Sequence, residues 1–143
     1  TITGMTKLEA GDSFDTELQA LESNYANHDY FFLHYKPADG AGEDADFDLK
    51  VRRLEELDAQ IPRILALNPD VLIVAGDHST PSILGGHSWH PVPLLIRSQF
   101  TTYLGVERFT ERACSLGTLG HRSATDVMIL ALAHANKLKK FGA

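Results

Sequence analysis

Only one cysteine, Cys114, stands in the 143 residues, so no disulfide can form within the chain. That excludes a disulfide-framed secreted scaffold and makes a reducing cytoplasm the expected compartment. Cys114 lies in Arg112-Ala113-Cys114-Ser115-Leu116 and reads as a small buried apolar residue at a helix end. Basic residues are also scarce: 13 Lys and Arg against 19 Asp and Glu leave a formal net charge of -6. Nucleic acid and anionic membrane surfaces need a basic stripe that this balance does not supply. No apolar run approaches the ~18 residues that span a bilayer. The opening Thr1-Ile2-Thr3-Gly4-Met5 has no charged region followed by an apolar core, so it is not a secretory leader. It also lacks an initiator Met, which is expected of a processed chain or a fragment. No repeat and no low-complexity segment is present.

What remains is a soluble, globular composition, 43% apolar and 22% charged, long enough for one domain with a core. Ser13 or Asp15 caps an expected helix to about Ala26, with Leu18 and Leu21 on its apolar face. Residues 1–29 thus form a helical lead-in to a core over 30–143. Tyr30-Phe31-Phe32-Leu33-His34-Tyr35 reads as a buried strand, and Pro37 to Glu43 as a loop. Asp44 to about Leu67 is expected to be helical, split near Gln60 by Pro62, which cannot donate to residue 58. Asn68-Pro69 ends it. Asp70 to Ala75 is a continuous apolar run, the pattern of a strand covered on both faces. A long loop, Gly76 to Pro91, leads to a third strand, Val92 to Ile96. Helices follow over Val106–Ser115 and Ala124–Lys139, the last with Lys137, Lys139 and Lys140 at its C-terminus. Strands separated by helices predict an α/β fold with a mainly parallel sheet and helices on both faces.

In such sheets ligands bind beyond the carboxyl ends of the strands. The metal-competent residues fall there: Asp39 and Glu43 after the first strand, Asp77 and His78 after the second, His87 and His90 before the third. Each group alone reads as ordinary turn chemistry, whereas their convergence on one edge points to a metal. Carboxylates with neutral imidazoles suit manganese or zinc, and carboxylate-rich sets suit magnesium or manganese. Adjacent ligands such as Asp77 and His78 can serve two ions, and ions about 3.5–4 Å apart are a device for phosphoryl transfer. They would also supply the positive charge that the composition lacks. Lys36 is a candidate phosphate contact and His90 a candidate substrate group. Ser79 and Thr80 are expected to orient the metal ligands, since nothing supplies the geometry of an activated serine.

Val71-Leu72-Ile73-Val74-Ala75-Gly76-Asp77-His78-Ser79-Thr80-Pro81, followed by His87-Ser88-Trp89-His90-Pro91-Val92-Pro93, resembles the C-terminal half of the cofactor-independent phosphoglycerate mutases of archaeal type, in the alkaline phosphatase superfamily. The similarity extends from Asp39-Gly40-Ala41-Gly42-Glu43-Asp44 and Phe47 to Leu116-Gly117 and Lys140-Phe141-Gly142-Ala143. The resemblance implies a partial metal-binding phosphotransfer domain that moves a phosphoryl group between the 3- and 2-hydroxyls of glycerate, in glycolysis. Two divalent ions are implied, manganese first, with magnesium or zinc as alternatives. Asp77 and His78 match the ligands of the ion that activates a serine. Asp39, Glu43 and His87 match those of the ion that anchors the substrate phosphate. Position 43 departs from the pattern, with Glu where His is common, which hardens the ligand set. The family's nucleophilic serine has no counterpart here, so the isolated chain is expected to be inactive. Alternatives are another phosphatase or phosphomutase of the superfamily, or a non-catalytic interaction domain. Half of such a sheet would expose an edge, so a homodimer through that edge is expected.

Overall fold

The computed structural model describes residues 3–102 and 107–138. Helix α1 (Phe14–Asn24) starts at Ser13, whose side chain accepts the Thr16 backbone N–H while the Thr16 hydroxyl accepts the Ser13 N–H. This reciprocal cap satisfies two donors that the first turn leaves free. Its apolar stripe buries Leu18, at 1% exposure, and Leu21. After a single 3₁₀ turn (Tyr25–Asn27) the chain continues without helix or strand to Tyr35, bending at Asp29.

The aromatic run Tyr30–Tyr35 forms no ladder among the described residues, contrary to the strand expected there. Side chains hold it instead. Phe31 stacks on Tyr25 with ring centroids 5.7 Å apart, and Tyr35 meets Phe14 edge-on at 5.1 Å. The Tyr35 hydroxyl donates to the Arg53 carbonyl at 2.9 Å. Phe32, at 69% exposure, faces away from these contacts.

Residues 37–43, expected as a loop, form helix α2 (Pro37–Glu43). Pro37 fits the first turn, where its missing N–H has no partner to lose. Helix α3 (Phe47–Asp58) follows directly. Ala45, at φ 56°, ends α2 in the left-handed region, with Asp46 N–H donating to Ala41 O and Ala45 N–H to Gly42 O, both at 3.1 Å. Asp46 then caps α3, accepting Leu49 N–H at 2.8 Å. As Pro62 predicts, the helical stretch divides, and α4 (Ile61–Ala66) begins after Gln60. Arg63 of α4 forks onto Glu22 (2.5 and 2.9 Å) and reaches Asp15 at 2.6 Å, tying α4 to α1.

Strand β1 (Val71–Ala75) pairs with β2 (Leu94–Ser98) in antiparallel register, Val71 opposite Ser98 and Ala75 opposite Leu94. The mainly parallel sheet expected from the strand and helix order is therefore not what the described residues form. The reason lies in the connection. A parallel return needs a crossover, usually helical, whereas the Gly76–Pro93 segment is a loop without a helix. That loop is pinned at mid-height by a bridge between Ser79 and Ser88, with Ser88 N–H on Ser79 O at 2.9 Å.

The helix expected over Val106–Ser115 reduces to α5 (Glu111–Cys114), because Thr110, in extended backbone, caps it by accepting Ala113 N–H. Val106 lies outside the described residues. Helix α6 (Asp126–His134) rests against β1. It stops where Asn136, at φ 56°, lets Lys137 N–H reach Leu132 O at 2.9 Å. Lys137 pairs with Asp29 at 2.7 Å; Lys139 and Lys140 lie outside the described residues. No described helix is long and apolar enough to cross a membrane.

Candidate metal centre

Helix geometry explains the first two candidate ligands. Asp39 and Glu43 are four residues apart on α2, hence on one face, one turn from each other. The loop leaving β1 brings Asp77 and His78 to that face. The far side of the Ser79–Ser88 bridge returns His87.

The resulting distances form two groups. His87 Nε2 stands 3.3 Å from Glu43 Oε1 and 3.6 Å from Asp39 Oδ1. His78 Nε2 stands 3.6 Å from Asp77 Oδ2. The two imidazole rings lie beside each other, centroids 3.9 Å apart. Ligand atoms of Asp39, His78 and His87 all lie within 4.8 Å of one another. Two donors bound to one zinc or magnesium ion at about 2.1 Å lie roughly 3.0–3.4 Å apart. The observed separations are close to that and wider than a good N–H···O hydrogen bond. The donor set therefore fits a divalent cation.

Asp39 is the most enclosed of the five, its side chain 14% exposed. Lys36 donates to its Oδ2, and the Thr80 hydroxyl donates to its Oδ1 at 2.5 Å. These bonds, the Lys36 one first, hold the carboxyl down to about 2, so it is ionised at any ordinary pH. Asp77 is more open; its Oδ1 accepts the His78 backbone N–H at 3.0 Å, which leaves Oδ2 on the His78 side.

The two candidate substrate groups fare differently. Lys36 stands inside the cluster as the partner of Asp39, and its ammonium is held protonated by that bond, then by Glu43 and Asp77 nearby. His90 turns away: its Nδ1 lies 2.8 Å from Ser88 Oγ and its ring stacks on Trp89 at 4.7 Å. With Pro81, Ile83 and Leu84 it lines a separate apolar cleft.

Lys50 and Gly42 were invisible as site residues. Lys50 reads as one of the charges on the solvent face of α3, yet its ammonium donates to the Thr80 carbonyl. A Cβ on Gly42 would overlap that same oxygen, so only glycine permits the approach. Both contacts join segments some thirty or more residues apart, and no local pattern encodes them.

Residues 2–134 match the metalloenzyme superfamily. Over 142 residues, 99% of the chain, it is 50% identical to a protein of Thermotoga petrophila named as a probable 2,3-bisphosphoglycerate-independent phosphoglycerate mutase. A protein of the same name from Thermus thermophilus is 49% identical over 133 residues. The chain spans about a third of the length of these curated relatives, 35% and 33% respectively. Among solved structures, the PH0037 protein from Pyrococcus horikoshii superposes with a TM-score of 0.83 at 34% identity. That match covers 90% of this chain and 40% of the other.

Proposed function

The chain belongs to the metalloenzyme superfamily, and from that membership we propose that it supplies the ligands of a two-ion centre in a 2,3-bisphosphoglycerate-independent phosphoglycerate mutase, a cytoplasmic enzyme of glycolysis. Asp77 and His78 would hold one ion. Asp39, Glu43 and His87 would hold the other. Three carboxylates and two neutral imidazoles make a hard set, which favours manganese or magnesium over zinc. When bound, such ions neutralise and polarise phosphoryl oxygens and activate a coordinated hydroxyl. The chain's own part is to fix the ligands and to keep Asp39 ionised. Lys36, released from Asp39 by an ion, would hold a substrate phosphate as a point charge. The phosphate-accepting serine would come from a segment outside these 143 residues.

The observation that carries this reading is the pairing of Nε2 atoms with carboxylates: His87 with Glu43 and Asp39, His78 with Asp77, on neighbouring rings. It also speaks for a functional Glu43, whose Oε1 reaches the cluster in place of the imidazole common at that position.

Titration calorimetry with manganese tests the reading. The 143-residue chain should bind the ion, D39N and H87A should bind it at least tenfold more weakly, and 3-phosphoglycerate should not be turned over. Absence of manganese binding would overturn the metal centre. Mutase turnover by this chain would overturn the assignment of the nucleophile to another segment.

A further inference from the structure

Thr80 is 5% exposed, a buried polar residue in the wall of the cluster. Its Oγ1 lies 2.5 Å from Asp39 Oδ1 and 3.1 Å from His78 Nδ1. A hydroxyl carries one proton. An ionised carboxylate only accepts, so the Thr80 proton goes to Asp39, and Thr80 can then only accept from His78. The proton of the neutral imidazole must therefore sit on Nδ1, leaving the Nε2 lone pair free on the side of Asp77. Two further contacts fix Thr80 itself. Lys50 donates to its carbonyl, and the α2 backbone at Gly42 closes on the same oxygen.

We propose that Thr80 is a positioning residue that holds His78 in its Nδ1–H tautomer, so that Nε2 is the nitrogen offered to the metal, while aligning the Asp39 carboxylate. The inference rests on the reading of His78 and Asp39 as ligands. It adds which atom of His78 binds and what selects it, and it links the two ligand groups through one hydroxyl. Partners that orient ligating histidines in this way are typically worth about 10–100-fold in metal affinity.

The tautomer is read directly from long-range proton–nitrogen spectra of the metal-free chain, at a pH where His78 is neutral. His78 should show a protonated Nδ1 and a bare Nε2. In T80V, close to isosteric but without the hydroxyl, the Nε2–H form preferred by imidazole in water should appear. The manganese dissociation constant of T80V should rise about 10–100-fold. T80S, which keeps the hydroxyl, should retain the tautomer and bind within about threefold of wild type. Circular dichroism confirms that each variant is folded; if T80V is not, the wild-type spectrum and T80S decide the matter. An Nε2–H tautomer in the wild type overturns the proposal, as does unchanged manganese binding by folded T80V. Failure of the wild type to bind manganese would remove the metal reading instead, while the spectrum would still decide the Thr80–His78 bond.

Discussion

At the scale of single residues, the two roles proposed for Lys36 compete. Lys36 is the cation that balances Asp39 through Oδ2, next to the Oδ1 that faces His87, so its charge opposes that of an ion held there. K36M should therefore bind manganese about two- to fivefold more tightly, the range of an exposed ion pair. The gain should shrink as salt screens the charges. The same variant should bind a phosphorylated ligand more weakly, and calorimetry reads both effects. A K36M variant with unchanged or weaker manganese binding would mean that Lys36 and the ion do not contest Asp39. The convergence of Asp39, Glu43, Asp77, His78 and His87 was legible in the spacing of their residue types, but the expected route was not: Asp39 and Glu43 reach the cluster from helix α2 and not from a strand end. The roles of Lys50 and Gly42 were not legible, because each depends on a contact with Thr80 made only when distant segments meet.

At the scale of elements, two junctions carry distinct expectations. Ala45 occupies the left-handed position between α2 and α3, where a side chain costs ~1 kcal/mol relative to glycine. A45G should stabilise the chain by about that amount in urea unfolding, less whatever the added freedom of the unfolded state removes. A destabilised A45G would show that the Ala45 methyl is needed for packing. The second junction is the Arg63 fork between α4 and α1. Hydrogen bonding to Arg63 lowers the Glu22 carboxyl below its ordinary 4.5. A depressed folded value means that the contribution is fully present above the ordinary range. It is lost as pH falls through the lowered value. Wild type should thus melt above E22Q at pH 7, and the gap should close on acidification below about 4.5. A gap independent of pH would argue that the pair does not form. The split at Pro62 and the cap at Ser13 were readable from sequence, because both are local chemistry. Helix α2 was not. Its two glycines and central Asp imitate a turn, and its register is set by the packing of Gly42 against Thr80.

At the scale of the whole molecule, the apolar surface is the dominant fact. The buried apolar residues among those described are Leu18, Leu21 and Ala41. Meanwhile Phe32, Trp89 (86% exposed) and Ile83 (93%) stand at the surface, and every residue of β1 keeps some exposure. Surfaces of this kind associate, and each strand also has one edge without a ladder among the described residues. The chain alone should sediment as a dimer or larger at micromolar concentration, and a monodisperse monomer would contradict this. The apolar runs of the sequence correctly marked β1 and β2. The parallel sheet was expected from strands separated by helices, but β1 and β2 are joined by a loop and pair antiparallel, and β1 is only partly covered among the described residues. A hydrophobic run records that a strand is meant to be covered, not whether the covering elements lie within the same 143 residues.

The bridge between Ser79 and Ser88 has one last consequence. It closes the loop below its tip, so the distance between His78 and His87 in space is set by that bridge and not by the number of residues between them. The exposed tip around Ile83 and Leu84 lies beyond that bridge. A short Gly-Ser insertion there is predicted to leave manganese affinity within about twofold, since lengthening a closed loop costs little. A large loss would place the control of spacing in the tip. Relatives that differ in length at this point could keep the same ligand geometry, which makes the tip a natural place for one scaffold to acquire a different neighbour for the same ions.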